Sequence, residues 1–279
     1  MDQADRAAYE VAAEDIEYLR HGDKPLLARL YRPKGNGPFP ALVEVHGGAW
    51  TSGDRLNNVV IATALAEAGS VVLSLDFRMP PDGAYPASIA DINYGIRFLK
   101  AHAKEWGSDE KRVGALGSSS GGQQVMCTAL TPKAPRYAPL PLAGGDDARL
   151  AFVVLCWPVA DPLARYRMAQ EKKIDRFLQA HAAFFGGEDA MREGNPQLIV
   201  ERGEAEAKPP VLILQGTADD NLTPDMADRF AAAYRNSGGS VEPHKFEGEP
   251  HMFVTRDPAS EASQKALALM TAFVKKQAS

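Results

Sequence analysis

The residues best suited to nucleophilic chemistry lie in a glycine-bounded segment near the middle of the chain, Gly117-Ser118-Ser119-Ser120-Gly121. An apolar run precedes this segment and a run of helical character follows it, which is the setting of a G-x-S-x-G turn. Such a turn requires small residues two positions before and after its serine, and it exposes the hydroxyl at a helix N-terminus. Of the three serines only Ser119 has glycine at both positions, so Ser119 is the predicted nucleophile.

A serine hydroxyl is a weak nucleophile at neutral pH, so it needs a base in contact and an acid that orients the base. His251 lies in the loop between the last predicted strand and the last predicted helix, and it is the predicted base. Asp219 and Asp220 lie just after an earlier strand, at the carboxyl end where open α/β sheets carry function. Either aspartate could be the acid on this ground alone.

Acyl transfer also requires hydrogen-bond donors that face the negative oxygen of the intermediate. The sequence His46-Gly47-Gly48-Ala49-Trp50 directly follows a predicted strand, and its glycines let backbone N–H groups approach a substrate. The predicted oxyanion hole consists of the N–H groups of Gly47, Gly48, Ala49 and Ser120.

The elements that must position these residues are indicated by apolar runs of strand length alternating with amphipathic helical stretches. This alternation predicts parallel strands joined by crossover helices that cover both faces of the sheet. The predicted strands are Leu26 to Tyr31, Ala41 to His46, Val71 to Asp76, Val113 to Leu116, Phe152 to Cys156, Val211 to Gln215 and Val241 to Phe246. The predicted helices are Asn58 to Glu67, Pro86 to Ala103, Gln123 to Leu130, Asp225 to Asn236 and Ser260 to Lys276.

Two regions depart from this alternation. Residues 132–149 are rich in proline and glycine and predict a loop, whereas residues 161–207 hold a helical stretch too long for a simple crossover. We expect a single domain over residues 1–279, with the stretch at 161–207 inserted as a lid or cap. The predicted pocket walls are Trp50, Trp157, Phe184, Phe185, Met252 and Phe253.

Composition limits the classes of partner. The chain is 45% hydrophobic and 24% charged with a net charge of -5, and it has no basic run that could follow a phosphate backbone. No segment has the length of apolar sequence that a membrane span needs, and the acidic N-terminus is unlike a signal peptide, so we expect a cytoplasmic protein. Cys127 and Cys156 lie in apolar runs and are expected to be buried thiols. No phosphate loop, dinucleotide fingerprint or metal-ligand cluster is present, so no cofactor or metal is expected.

Together, HGGAW, GSSSG, GTADD and GEPHMF resemble the motifs of the esterase/lipase branch of the α/β-hydrolase superfamily, the hormone-sensitive-lipase-like carboxylesterases. The resemblance runs over about residues 15 to 276 and implies the α/β-hydrolase fold. It favours Asp219 over Asp220, because the family's acid lies three residues after the loop glycine, here Gly216. Ala49 stands where the lipase-like subgroup has a third glycine, and the pair Ala49-Trp50 is also similar to that of arylformamidases.

The resemblance implies a serine hydrolase that cleaves small carboxylic esters of short to medium chain length through an acyl-enzyme. An arylformamidase-like amidase is the alternative. A non-catalytic ligand-binding protein on the same fold is disfavoured because serine, histidine, acid and oxyanion glycines are all present. The expected partner is a small ester or amide, and a homodimer is possible.

Overall fold

The computed structural model describes residues 9–142 and 147–278, which are arranged around an eight-stranded sheet. The strands are β1 (Val11–His21), β2 (Lys24–Pro33), β3 (Phe39–Val45), β4 (Val71–Leu75), β5 (Ser108–Ser118), β6 (Val153–Cys156), β7 (Val211–Gly216) and β8 (Val241–Phe246). The helices are α1 (Val59–Glu67), α2 (Ala87–His102), α3 (Ser120–Leu130), α4 (Pro162–Glu171), α5 (Asp175–Phe185), α6 (Glu188–Glu193), α7 (Pro196–Glu201), α8 (Met226–Asn236), α9 (Phe253–Arg256) and α10 (Glu261–Gln277).

The sheet has the order β1-β2-β4-β3-β5-β6-β7-β8 and is mostly parallel. The β1–β2 and β2–β4 pairs are antiparallel, and every later pair in the order is parallel. Helices α1, α9 and α10 form one contacting group, and α2, α3, α7 and α8 form another. Strands β4, β6 and β7 are buried along their whole length, as expected of continuously apolar strands covered on both faces. The carboxyl ends of the parallel strands therefore lie at one edge, where ligands bind in such sheets.

The sequence prediction missed β1. This strand lies at the edge of the sheet, and its mixed acidic and apolar residues leave both faces partly exposed, so it lacks the apolar run by which the other strands were recognised. Its anchor is Tyr18, which is buried and donates a hydrogen bond from Oη to the Asp76 carbonyl oxygen at 2.6 Å. Strand β5 also begins earlier than predicted, at Ser108, which pairs with Phe39 before an irregularity in the register; regular pairing with β3 resumes at Val113 opposite Ala41.

The predicted helices agree with α1, α2, α3, α8 and α10 to within three residues at either end. Between β6 and β7 the structure has four helices, α4 to α7, within the stretch predicted to be a helical insertion. The described part of 132–149 holds no helix or strand, and residues 143–146 of that predicted loop lie outside the described residues. Within the described ranges no helix is long and apolar enough to cross a membrane.

Candidate active site

Ser119 lies on the turn between β5 and α3. Its backbone has φ of 50° and ψ of -118°, a conformation that a residue with a side chain rarely adopts. A Cβ atom on Gly117 would lie 2.7 Å from the Gly121 carbonyl oxygen, and one on Gly121 would overlap the Val45 carbonyl oxygen. Glycine is therefore required at both positions for α3 to start this close to β5 and β3.

His251 contacts both Ser119 and Asp219. Its Nε2 atom lies 3.0 Å from the Ser119 hydroxyl oxygen, and its Nδ1 atom lies 2.7 Å from Asp219 Oδ2. This geometry fits the tautomer in which Nδ1–H donates to the carboxylate and Nε2 accepts from the hydroxyl. The structure thus brings together the three residues predicted as nucleophile, base and acid.

The loops that carry Asp219 and His251 are held together by backbone contacts. Gly216, the last residue of β7, lies so close to the Glu249 carbonyl that a Cβ atom there would overlap its oxygen. Ala218 N–H donates to the same carbonyl oxygen at 3.0 Å, and Thr217 N–H donates to the Phe246 carbonyl oxygen at 2.9 Å. The acid loop after β7 and the histidine loop after β8 therefore have a fixed separation.

Asp219 is surrounded by donors. Besides His251, it accepts a hydrogen bond from Gln215 Nε2 at 2.9 Å and one from the Asn221 N–H at 2.9 Å. Burial acts to raise the pKa of Asp219, but the hydrogen bond from His251 and its electrostatic attraction, together with the hydrogen bonds from Gln215 and Asn221, lower this pKa below its usual value of 3.8. Asp219 is thus held ionised with its side chain only 2% exposed, whereas Asp220 is exposed to solvent.

The glycine-containing loop after β3 lies beside Ser119. A Cβ atom on Gly47 would lie 3.0 Å from Ser119 Cβ, and Trp50 N–H donates to Ser120 Oγ at 3.2 Å. Among the described residues, the N–H groups of Gly48, Ala49 and Ser120 have no hydrogen-bond acceptor. Unengaged backbone donors thus lie next to the serine on two sides.

A cavity of about 360 Å³ opens over these residues. Its walls include Ser119, His251, Trp157 and Met252. The other predicted pocket residues do not line it, so that part of the prediction is wrong; they are Trp50, Phe184, Phe185 and Phe253, all buried in the hydrophobic core. Aromatic type alone did not distinguish a cavity wall from a core contact.

Trp50 shows why these side chains belong to the core. Its ring stacks on Phe184 at 5.5 Å and meets the edge of Phe185 at 5.1 Å, while its Nε1–H donates to Gln123 Oε1 at 2.9 Å. Trp50 therefore holds the glycine-containing loop against α3 and α5 through contacts in the core. Phe253 packs edge-on against Trp157 at 5.5 Å and supports that wall residue from the core.

Two arginines between β6 and β7, Arg165 and Arg176, also line the cavity and were not among the predicted pocket residues. A signal for Arg165 was available. It lies on the same face of α4 as Met168 and Ala169, at positions i+3 and i+4, so a charged residue occupies the face that a helix turns to the interior.

A second polar feature lies beneath the cavity. Glu44, on β3, is 1% exposed and accepts a hydrogen bond from Asn58 Nδ2 at 2.7 Å. The same Asn58 nitrogen donates to Ser118 Oγ at 2.8 Å, so a hydrogen-bonded chain leads from a buried carboxyl to the residue before Ser119. Burial raises the pKa of Glu44 to about 7 despite the Asn58 hydrogen bond.

A parallel sheet with a serine on a strand-to-helix turn, followed along the chain by an acid and a histidine in loops, defines an α/β-hydrolase. The chain belongs to the BD-FAE family, whose model matches residues 29–234. It is 37% identical to the carboxylic ester hydrolase LipN of Mycobacterium tuberculosis over 228 residues, which are 77% of this chain and 57% of LipN. The chain spans about half the length of the curated relatives that it matches.

Solved esterase structures have the same fold. The esterase Est2 of Thermogutta terrifontis with propionate bound is 26% identical, with a TM-score of 0.77 over 95% of this chain and 94% of that one. Esterase 2 of the same species, phosphoramylated by tabun, is 25% identical with a TM-score of 0.78 over the same shares, 95% and 94%. These findings confirm the predicted α/β-hydrolase fold and the resemblance to its esterase branch.

Proposed function

We propose that this protein is a carboxylesterase in which Ser119, His251 and Asp219 form the catalytic triad. The observation that carries the proposal is the continuous pair of hydrogen bonds from Ser119 Oγ through His251 to Asp219, at 3.0 Å and 2.7 Å. Base and nucleophile are in hydrogen-bond reach, and a buried carboxylate orients the base, as covalent catalysis by serine requires.

In the proposed reaction, Ser119 Oγ attacks the ester carbonyl carbon while its proton passes to His251 Nε2. The imidazolium that forms is stabilised by ionised Asp219. His251 then donates this proton to the departing alcohol oxygen, which leaves an acyl group on Ser119. Water then attacks the acyl carbon and gives one proton to His251. His251 returns this proton to Ser119 Oγ as the bond between Oγ and the acyl carbon breaks, which releases the acid product and restores the serine.

The negative charge of each tetrahedral intermediate needs donors that are already in place. The N–H groups of Gly47, Gly48, Ala49 and Ser120 are proposed as these donors. Support comes from the unengaged state of three of them and from the contact of Gly47 with Ser119. One such donor is typically worth about 10²- to 10³-fold in turnover.

The comparisons support an ester as the substrate class. LipN bears the name carboxylic ester hydrolase, and the Thermogutta structures are of an esterase with propionate bound and of one phosphoramylated by tabun. A cavity of about 360 Å³ is at the small end of the range for ligand sites, which supports acyl chains of short to medium length. Helices α4 and α5 are proposed to act as a lid, since Arg165, Phe177 and Ala180 close the cavity from that side.

The test compares hydrolysis of short aryl esters with that of an N-formyl aryl amide by the wild type, Ser119→Ala and the control Ser118→Ala. We expect the esters to have the higher kcat/KM, Ser119→Ala to lose at least about 10³-fold in kcat, and Ser118→Ala to keep far more activity. A formamide cleaved faster than every ester would replace the proposal with an amidase. Full ester turnover by Ser119→Ala would show that Ser119 is not the nucleophile and that the proposed triad is wrong.

A further inference from the structure

Arg165 is a buried charge in the wall of the candidate active site. It lies on α4, is 2% exposed and lines the same cavity as Ser119. Of its guanidinium nitrogens only Nε has a hydrogen-bond partner among the described residues, the Asn221 carbonyl oxygen at 3.1 Å. Because a guanidinium carries five N–H donors, most of the hydrogen-bonding capacity of Arg165 is unused.

No carboxylate of the described chain forms an ion pair with Arg165. Its guanidinium carbon instead lies 3.9 Å from the ring centre of Phe177 and 5.5 Å from that of Trp50. Burial lowers the pKa of Arg165 to about 9, and the more distant Asp219 does not compensate. The side chain is therefore charged at neutral pH but has no counter-ion, an arrangement that costs free energy unless an anion binds.

The charged residues that line the cavity also favour the binding of an anion. Arg176, on α5, also lines the cavity, and its Nη2 donates to Asn221 Oδ1 at 3.3 Å. The described residues that line the cavity include these two arginines and no aspartate or glutamate. Two arginines and no carboxylate in the lining favour an anionic ligand, and ionised Asp219 lies behind His251 and is not among the lining residues.

We propose that the preferred substrate is an ester that also carries a carboxylate, bound by Arg165 inside the cavity with Arg176 at the rim. This inference rests on the proposed esterase function and names its substrate class. A planar guanidinium pairs with a carboxylate through two parallel hydrogen bonds, and this pairing is strong where water is excluded. Because Ser119 and Arg165 line one cavity of about 360 Å³, only a short spacer fits between the ester carbonyl and the carboxylate.

The experiment uses two matched substrate pairs, because the carboxylate can lie on either side of the ester bond. The acyl-side pair is the 4-nitrophenyl hemiester of glutarate and its terminal carboxamide. The alcohol-side pair is the acetyl ester of 4-hydroxybenzoate and that of 4-hydroxybenzamide. Within each pair the shape is nearly constant and the charge changes, so the ratio of kcat/KM values measures recognition of the carboxylate.

For the wild type we expect this ratio to exceed about 10 in one of the two pairs. In Arg165→Gln the same ratio should fall at least tenfold, and Arg165→Lys should restore part of it, since lysine keeps the charge but not the planar fork. The matched control is Arg167→Gln, on the same helix with a side chain 58% exposed, which should keep the wild-type ratio. A purely structural Arg165 would affect both members of a pair equally and leave the ratio unchanged.

A wild-type ratio at or below 1 in both pairs would overturn the inference, as would an unchanged ratio in folded Arg165→Gln. If that variant does not fold, Arg176→Gln decides: it should lower the preferred ratio, and an unchanged ratio counts against the inference. The proposed function fails separately, when the wild type hydrolyses no member of either pair. Carboxamide esters cleaved without any carboxylate preference would leave the esterase intact and exclude only the substrate class.

Discussion

At the scale of the residue, two adjacent aspartates differ in burial and in contact with His251. Asp219 is buried and bonded to His251, while Asp220 is exposed. We expect Asp219→Asn to lower kcat by about 10³-fold or more with little change in fold, because an amide no longer favours the required imidazole tautomer. Steady-state kinetics on an aryl ester measures this effect.

Asp220→Asn is the matched control for that prediction. It makes the same change of charge one residue further along, and we expect it to keep kcat within about threefold, as is usual for an exposed position away from the reacting atoms. If Asp220→Asn were the more damaged of two folded variants, the assignment of the acid would be wrong.

Glu44 gives a prediction about stability rather than turnover. Its pKa is about 7 in the folded protein because of burial, against 4.5 in an exposed glutamate. The folded state therefore binds more protons than the unfolded state between these values, so stability falls as pH rises through this window. Above pH 8 this titration of Glu44 has lowered the free energy of unfolding by about 3 kcal/mol relative to its value below pH 4.

Glu44→Gln removes this titration and keeps an acceptor for Asn58. We expect the variant to lose less free energy of unfolding than the wild type between pH 5 and pH 8 and to be the more stable protein at pH 8. Urea denaturation at several pH values measures both quantities, with exposed Glu247→Gln as control. Parallel curves for the wild type and Glu44→Gln would show that Glu44 does not titrate in this range.

At the scale of the element, the position of α3 depends on close backbone approach. Alanine at Gly121 would gain about 1 kcal/mol of helix propensity, but its Cβ would overlap the carbonyl oxygen of Val45. We expect the overlap to dominate, with Gly121→Ala losing about 3 kcal/mol of stability or more and most esterase activity. Thermal or urea unfolding measures the first effect, and ester hydrolysis measures the second.

Gly187→Ala is the control for that substitution. A Cβ atom at Gly187 would meet nothing within 4 Å, and the backbone there is extended, with φ of 177°. Gly187 is the N-cap residue of α6, a position where alanine is less favourable than glycine. We therefore expect Gly187→Ala to lower the free energy of unfolding by no more than about 1 kcal/mol. Equal damage from both alanines would mean that the strand-to-helix contact does not set the geometry of the turn.

The helices between β6 and β7 give the expected range of acyl chain lengths. Helices α4 and α5 line a cavity of about 360 Å³, and the end of α4 with the segment that follows it is exposed and charged, with Glu171, Lys172 and Lys173. Such a surface suits water better than lipid. We expect turnover of uncharged aryl esters to peak at about two to six acyl carbons and to show no increase when the substrate forms an emulsion. A maximum on long-chain triglycerides would identify a lipase instead.

At the scale of the whole molecule, the sequence predicted every parallel strand, and most of these strands are short apolar runs buried on both faces. Strand β8 is the exception, since only its end residues Val241 and Phe246 are buried. The prediction missed β1 because this antiparallel edge strand is partly exposed on both faces and has no such run. The proposed triad residues could be predicted because each lies in the turn or loop that follows a parallel strand, at the edge where these strands end. Their separations depend on close contacts such as that of Gly216 with Glu249, which no local pattern indicates.

Cavity walls were harder to predict because they depend on how elements distant in the sequence pack together. Trp50 and Phe184 are aromatic residues of the type that often lines ligand pockets, but here their rings stack on each other in the core. Arg165 was missed because arginine is usually a solvent-facing residue in a helix, and only its place on the apolar face of α4 distinguishes it. Residue type and spacing therefore identified three side chains that the structure brings into hydrogen-bond contact, but they did not identify most of the residues that line the cavity.

Covalent labelling with a fluorophosphonate tests most directly whether Ser119 is the nucleophile. Peptide mapping by mass spectrometry should find one adduct per chain, on Ser119, and none in Ser119→Ala. Labelling should also be much slower in His251→Ala, because the hydroxyl then lacks its base. An adduct on Ser118 or Ser120, or equally fast labelling of Ser119→Ala, would contradict the assignment of Ser119 as the nucleophile.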